Sequence, residues 1–136
     1  MVELGPPWEV SEHRFLFHYA PVENALAIAH QRRFVVGPGQ DFGTGMYATD
    51  IAPGELPDRE LLEILFAEAR SSQDVDGVVV MTRHPALSFD EVASRVWLHR
   101  AERGAIVDLS VALVGAGERV AGDWRFNASV PSYLDM

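Results

Sequence analysis

Both stretches with helical periodicity end by Ser72, and strand-like runs fill the rest of the chain. A regularly alternating parallel fold needs a helix between successive strands, so this order specifies an α+β fold instead. The reading along the chain is β-α-β-β-α-β-β-β. "RFLFHYA" (14–20) is aromatic-rich and reads as a strand. "PVENALAIAHQRRF" follows as a short, alanine-rich helix: Pro21 suits a first turn, Glu23 the positive N-terminus, and Arg32 and Arg33 the C-terminal end. Leu26 and Ile28 are two apart, so Ala25 and Ala29 complete the apolar face. "FVVGPG" is a brief strand closed by glycine and proline.

The segment "DFGTGMYATDIAPG" crowds turn residues at both ends of a very short apolar run, which leaves room for a strand at 46–49 only. "PDRELLEILFAEARSS" is the strongest helix, with Asp58 placed to cap it and Leu61, Leu62, Leu65 and Ala69 at helical spacing. "GVVVMTR" reads as a buried strand. "LSFDEVASRVWLHR" is ambiguous, with a strand expected at 94–99. "AIVDLSVALVG" is another β-rich run, and the tail mixes strand character at 123–128 with a polar end, outside the element order given above.

The 136 residues fit one domain, with residues 1–12 a loose lead-in. No apolar run approaches the roughly 20 residues of a membrane span. The start, "MVELGPPWEV", lacks a basic n-region and an apolar h-region, so a cytoplasmic chain is expected, and signal-independent export stays compatible with it. With no cysteine, disulfides, thiolate nucleophiles and cysteine metal sites are excluded. The net charge is −9 and every basic residue is arginine. Such a surface repels phosphate backbones and disfavours an extended nucleic-acid partner.

Five histidines raise the question of a metal. His13 and His18 are five apart and point to opposite faces of a strand; His30, His84 and His99 lie in separate segments. No metal-ligating spacing exists, so no metal is expected. There is no Gly-x-Ser-x-Gly elbow, Walker loop or GxGxxG. "GPGQDFGTG" lacks the lysine and helix of a phosphate cradle and reads as a turn-rich loop.

Three residues stand out as candidates. Asp108 interrupts an apolar run, which is costly unless the charge is paired, exposed or used. Alternation puts Ile106, Asp108 and Ser110 on one face and Val107, Leu109 and Val111 on the other, so Asp108 is either on the solvent face of an edge strand or functional. His18, between Phe17 and Tyr19, is either a satisfied core histidine or a ligand contact. Tyr47 alone is an ordinary core or rim aromatic.

Taken together, these residues resemble the bacterial toxin-type ADP-ribosyltransferases with a His-Tyr-Asp triad, domains often found in polymorphic toxins. "FLFHYAPVENALAIA" resembles their opening strand, which ends in His-Tyr-Thr before a helix. "FGTGMYATDIAPG" resembles their second motif, Phe-Gly-x-Gly-x-Tyr-x-Thr-Asp. "RVWLHRAERGAIVDLSVALVGAGE" resembles the third region, where a Leu-Asp-Leu-Ser-like strand supplies the acid. The three regions cover roughly half the chain. Ala20 departs from the family's threonine, and Val107 from its leucine.

The resemblance implies an α+β domain with a split β-sheet core of about six to eight strands and two main helices. It implies cleavage of the nicotinamide–ribose bond of NAD and transfer of ADP-ribose, without a metal. His18 would hydrogen-bond a ribose hydroxyl, the Tyr19 backbone would lie near the nicotinamide amide, and Tyr47 would stack on the ring. Gly43 and Gly45 would let the backbone approach. Asp108 would bind the ribose 2′-hydroxyl and stabilise the developing cation; Glu102 and Glu118 are rivals for that role. Arg14 or Arg83 would meet the pyrophosphate. Ile106 stands where arginine-directed members carry an extra glutamate, which disfavours arginine as acceptor. The acceptor would be a macromolecule, protein rather than nucleic acid, or a small molecule, or water in an NAD glycohydrolase. An antitoxin or immunity protein is an implied partner; a non-catalytic NAD- or protein-binding domain is one alternative, and a biosynthetic or tRNA-processing enzyme reusing the fold is another, its tRNA form disfavoured by the acidic surface.

Overall fold

The computed structural model describes residues 15–38, 42–65 and 72–128. The lead-in, His13, Arg14 and Ala69 lie outside them. In chain order the elements are β1 (Phe15–Ala20), α1 (Val22–Gln31), β2 (Arg33–Val35), β3 (Gly45–Thr49), α2 (Asp58–Leu65), a 3-10 turn (Ser72–Val75), β4 (Gly77–Thr82), β5 (Asp90–Ala93), β6 (Val96–Arg100), β7 (Ile106–Asp108), β8 (Leu113–Val120) and β9 (Asp123–Ala128). Seven strands form one sheet in the order β5-β6-β3-β1-β4-β8-β9, and β2 pairs with β7 in a second. All pairings are antiparallel. The α+β reading holds at this level, with nine strands among the described residues.

β1 runs through the middle and is buried on both faces. Phe15, Phe17 and Tyr19 pack with Ile51, Val78, Val80 and Leu61 of α2. Leu16 and Ala20 pack with Val79, Met81 and the Ala25 and Ala29 of α1. The two helices therefore cover opposite faces of the sheet. The alanine face of α1 permits close approach, and Gly77 completes it: a Cβ there would lie 2.8 Å from both the Ala20 carbonyl oxygen and the Val22 Cα. Among the described residues no helix is long and apolar enough to cross a membrane.

Several local expectations are corrected. Pro21 precedes α1 as its N-cap, with φ −54° and ψ 147°, and its carbonyl accepts from Asn24 and Ala25 N–H at 3.0 Å each. Asp58 does not cap α2. Its carboxylate accepts from Arg119 Nη1 and Nη2 at 2.7 and 2.8 Å, while the Pro57 carbonyl takes the Leu61 N–H. The ambiguous 87–100 stretch is a hairpin, β5–β6, turned by Arg95 at φ 62°. The run 105–115 breaks into β7 and β8, because β7 joins β2 in the small sheet and β8 joins β4 in the large one.

Candidate functional site

Neighbouring strands of the main sheet pair along most of their length, except at one seam. β1 pairs with β4 over six registers, and β3 with β6 over five. β1 meets β3 at the single register Phe17↔Thr49. Beyond it the two strands part, and the His18 side chain enters the gap. His18 Nδ1 lies 2.7 Å from the Tyr47 carbonyl oxygen. A carbonyl only accepts, so Nδ1 carries the proton and the neutral ring presents Nε2 as an acceptor. Burial holds the His18 pKa below its ordinary value, outweighing the hydrogen bond that raises it, so the ring is neutral at pH 7. The Phe34 ring stands edge-on to it, centroids 5.0 Å apart.

A cavity of about 180 Å³ occupies this seam. His18, Tyr19, Phe34, Gly45, Tyr47 and Val96 are among the residues that line it, and α2 contributes Leu65. The half-buried Tyr47 ring is held by its hydroxyl, which donates to the Gly43 carbonyl at 2.6 Å and accepts the Phe42 N–H at 3.3 Å. The loop before it is pinned in turn by Arg100, whose Nη1 donates to the Phe42 carbonyl at 3.0 Å. Gly45 is required for another reason than reach into the cavity. A Cβ there would stand 2.0 Å from the His99 carbonyl oxygen, so any other residue would force β3 off β6. Tyr19 donates its hydroxyl to the Ile51 carbonyl at 2.8 Å, and burial raises its pKa.

The Thr49-Asp50 pair, which sequence reasoning could single out only by resemblance, acts through the fold. Thr49 is fully buried; its hydroxyl donates to the Arg95 carbonyl at 2.7 Å and accepts the Ile51 N–H at 3.1 Å. Asp50 Oδ1 accepts from Arg95 Nε at 2.7 Å, and Glu55 binds the same guanidinium. The pair thus ties the end of β3 to the β5–β6 turn.

Asp108 is not brought to the cavity. It lies at the end of β7, opposite Arg33 of β2, and faces solvent. Its neighbour Val107 is 4% exposed and turned inward, whereas Ile106 is 62% exposed. The edge-strand alternative is therefore the geometry found. Asp108 Oδ1 accepts the Ser110 N–H at 2.9 Å and the Ser110 hydroxyl at 2.6 Å, which holds its pKa below the ordinary value. This side-chain turn ends β7, and Val111, expected inside, emerges 59% exposed. Glu102 is exposed in the turn before β7, and Glu118 is on β8; neither lines the cavity. Arg83 does not line it either, since its guanidinium stacks 4.6 Å from the Trp97 ring centroid.

The histidines do not assemble. His99 Nδ1 donates to the Ser88 carbonyl, His84 Nδ1 accepts from the Ala86 N–H, and His30 is exposed on α1. Among the described residues no group of three or more His, Asp or Glu side chains is placed to hold a metal. Sequence reasoning missed Phe34, Val96 and Leu65 as lining residues. Phe34 carried a weak signal as an aromatic in a short strand; Val96 and Leu65 carried none, being ordinary apolar positions. The chain matches no protein-family model, and no curated protein or solved structure matches it.

Proposed function

We propose that the seam cavity receives the nicotinamide end of NAD and that the chain is an NAD-dependent mono-ADP-ribosyltransferase of the toxin or effector type. The observation that carries this reading is the meeting of His18 and Tyr47 in one gap of the sheet, although they stand 29 residues apart. The chemistry of the two groups fits a nicotinamide riboside end. An aromatic face suits a flat ring. The unprotonated Nε2 needs a donor, and a ribose hydroxyl is one. The cavity, about 180 Å³, is below the roughly 300–1,000 Å³ of sites that enclose a whole ligand, so the rest of a dinucleotide would lie outside it.

In the reaction the bond between ribose C1′ and nicotinamide breaks, and nicotinamide leaves with the bonding pair. The acceptor's nucleophile then bonds to C1′ and gives up a proton. Positive charge develops on the ribose, and a neutral His18 adds no charge to oppose it, while the Tyr47 ring face is electron-rich. The net charge of −9 favours a protein acceptor over nucleic acid.

A second reading has its own support. No carboxylate lines the cavity among the described residues, and Asp108 is tied to Ser110 in a solvent-facing turn. This favours a domain that binds NAD or a partner without turning NAD over. One experiment separates the readings: incubate the protein with NAD labelled in its ADP-ribose half and a cell lysate, and follow nicotinamide release and the label. Transfer predicts released nicotinamide and labelled protein. Label in free ADP-ribose alone identifies a glycohydrolase. Bound NAD with no nicotinamide released refutes both enzymatic readings.

A further inference from the structure

A second cavity, about 380 Å³, lies between the 83–90 segment and the β6 strand and shares no lining residue with the first. We propose that it is a separate small-molecule site, for a compound with one anionic group on a flat apolar body. Its volume falls within the range of small-ligand sites, and it opens broadly to solvent. Leu16, Leu87, Phe89 and Trp97 supply the apolar part of its lining, and polar groups make up a comparable part.

The polar groups are mostly donors. Arg83 lays the face of its guanidinium over the Trp97 ring, which leaves the N–H edge available. Its Nη2 forms a long ion pair with Asp50 Oδ2 at 3.9 Å, too far for a hydrogen bond, so its N–H groups still have room to donate to a ligand. His84 Nδ1 accepts the Ala86 N–H at 3.0 Å, so its proton sits on Nε2 and that atom donates. Trp97 Nε1–H is buried and has no hydrogen-bond partner among the described residues. That N–H is closed to solvent, so the ring face of Trp97 lines the cavity and its N–H resonance reports on the site without bonding a ligand. Asp90 on the lining sets the limit on charge. It opposes polyanions, including the pyrophosphate of a dinucleotide, and leaves room for a single negative group paired with Arg83.

The test is a titration with 1-naphthoate, followed by the indole N–H resonances in two-dimensional NMR spectra, with Trp97→Phe identifying the Trp97 signal. Saturable binding that moves this signal is expected. The uncharged analogue 1-naphthamide should bind about tenfold more weakly, and so should naphthoate to Arg83→Gln, a loss typical of one charged contact. Tyr47→Ala should bind naphthoate as the wild type does. Naphthamide binding as tightly as naphthoate overturns the proposal whatever the state of the variants. An absence of saturable shifts also overturns it, and so does displacement of naphthoate by NAD.

Discussion

Two substitutions at Tyr47 separate what its ring does from what its hydroxyl does. Tyr47→Phe keeps the ring and removes the bonds to Gly43 and Phe42, at 2.6 and 3.3 Å. The longer bond is exposed and weak, so the loss is about 1 kcal/mol of stability, the usual net value of one hydrogen bond. Tyr47→Ala removes the stacking surface as well. A flat heterocycle stacked on an aromatic side chain is worth about 1–3 kcal/mol by alanine substitution. At 1.4 kcal/mol per factor of ten, NAD affinity should fall about 5- to 140-fold. His18 is untouched in both variants, because its partner is the Tyr47 carbonyl, which survives any side-chain change. Isothermal titration calorimetry with NAD, on variants whose melting curves show a cooperative fold, reads the affinity directly. Tyr47→Phe should bind NAD nearly as well as the wild type. Wild-type affinity in Tyr47→Ala, or equal losses in the two variants, would refute the stacking role.

Thr49→Val removes the hydroxyl that binds the Arg95 carbonyl and the Ile51 N–H, and should cost about 3 kcal/mol of unfolding free energy in urea, given 1–3 kcal/mol per buried group left unpaired; a loss below about 1 kcal/mol would show that the pair does not fasten β3. His18 binds no proton when folded at a pH where the unfolded chain, near its ordinary value of 6.5, begins to, so stability should fall as pH drops below that value and continue to fall until the buried ring protonates. His18→Gln should flatten this part of the melting-temperature profile, and an unchanged slope would mean that the ring is not held neutral. Asp108→Ala should leave NAD affinity unchanged in calorimetry, because the carboxylate serves the Ser110 turn; a loss of NAD turnover by orders of magnitude would place Asp108 at the reacting centre after all.

The elements whose burial follows from pattern alone were legible. Ala25 and Ala29 are the buried face of α1, and Leu61 that of α2. Alternation also put Asp108 and Val107 on opposite faces of their strand, but not whether the Asp108 face served a site or solvent; in the structure Val107 is inward and Asp108 exposed. The β5–β6 and β7–β8 turns were less legible, because side chains and an unusual backbone angle make them rather than glycine or proline. Arg95 turns the β5–β6 hairpin at φ 62°, which non-glycine residues adopt seldom, and its guanidinium contacts with Asp50 and Glu55 hold it there. Those partners stand 45 and 40 residues away, so no local pattern announces them. The same holds for Val96 in the cavity wall, whose side chain has no chemistry to flag it.

The short segment around Tyr47 gains its meaning from how β3 is fastened. At one end Gly45 lets β3 lie against the His99 carbonyl of β6. At the other, Thr49 and Asp50 bind the turn between β5 and β6. β3 is thus fixed to β6 along its length and to the β5–β6 turn at its end, while one register joins it to β1. β1, in turn, is fixed to β4 over its whole length. The sheet consists of two well-paired halves, β5-β6-β3 and β1-β4-β8-β9, and His18 from one half bonds the backbone of Tyr47 in the other. The cavity lies where strand pairing stops, so its opening needs no loss of hydrogen bonds within either half. The glycine and the Thr-Asp pair therefore build the site without lining its chemistry: they commit β3 to one neighbour so that the other side is free to hold a ring.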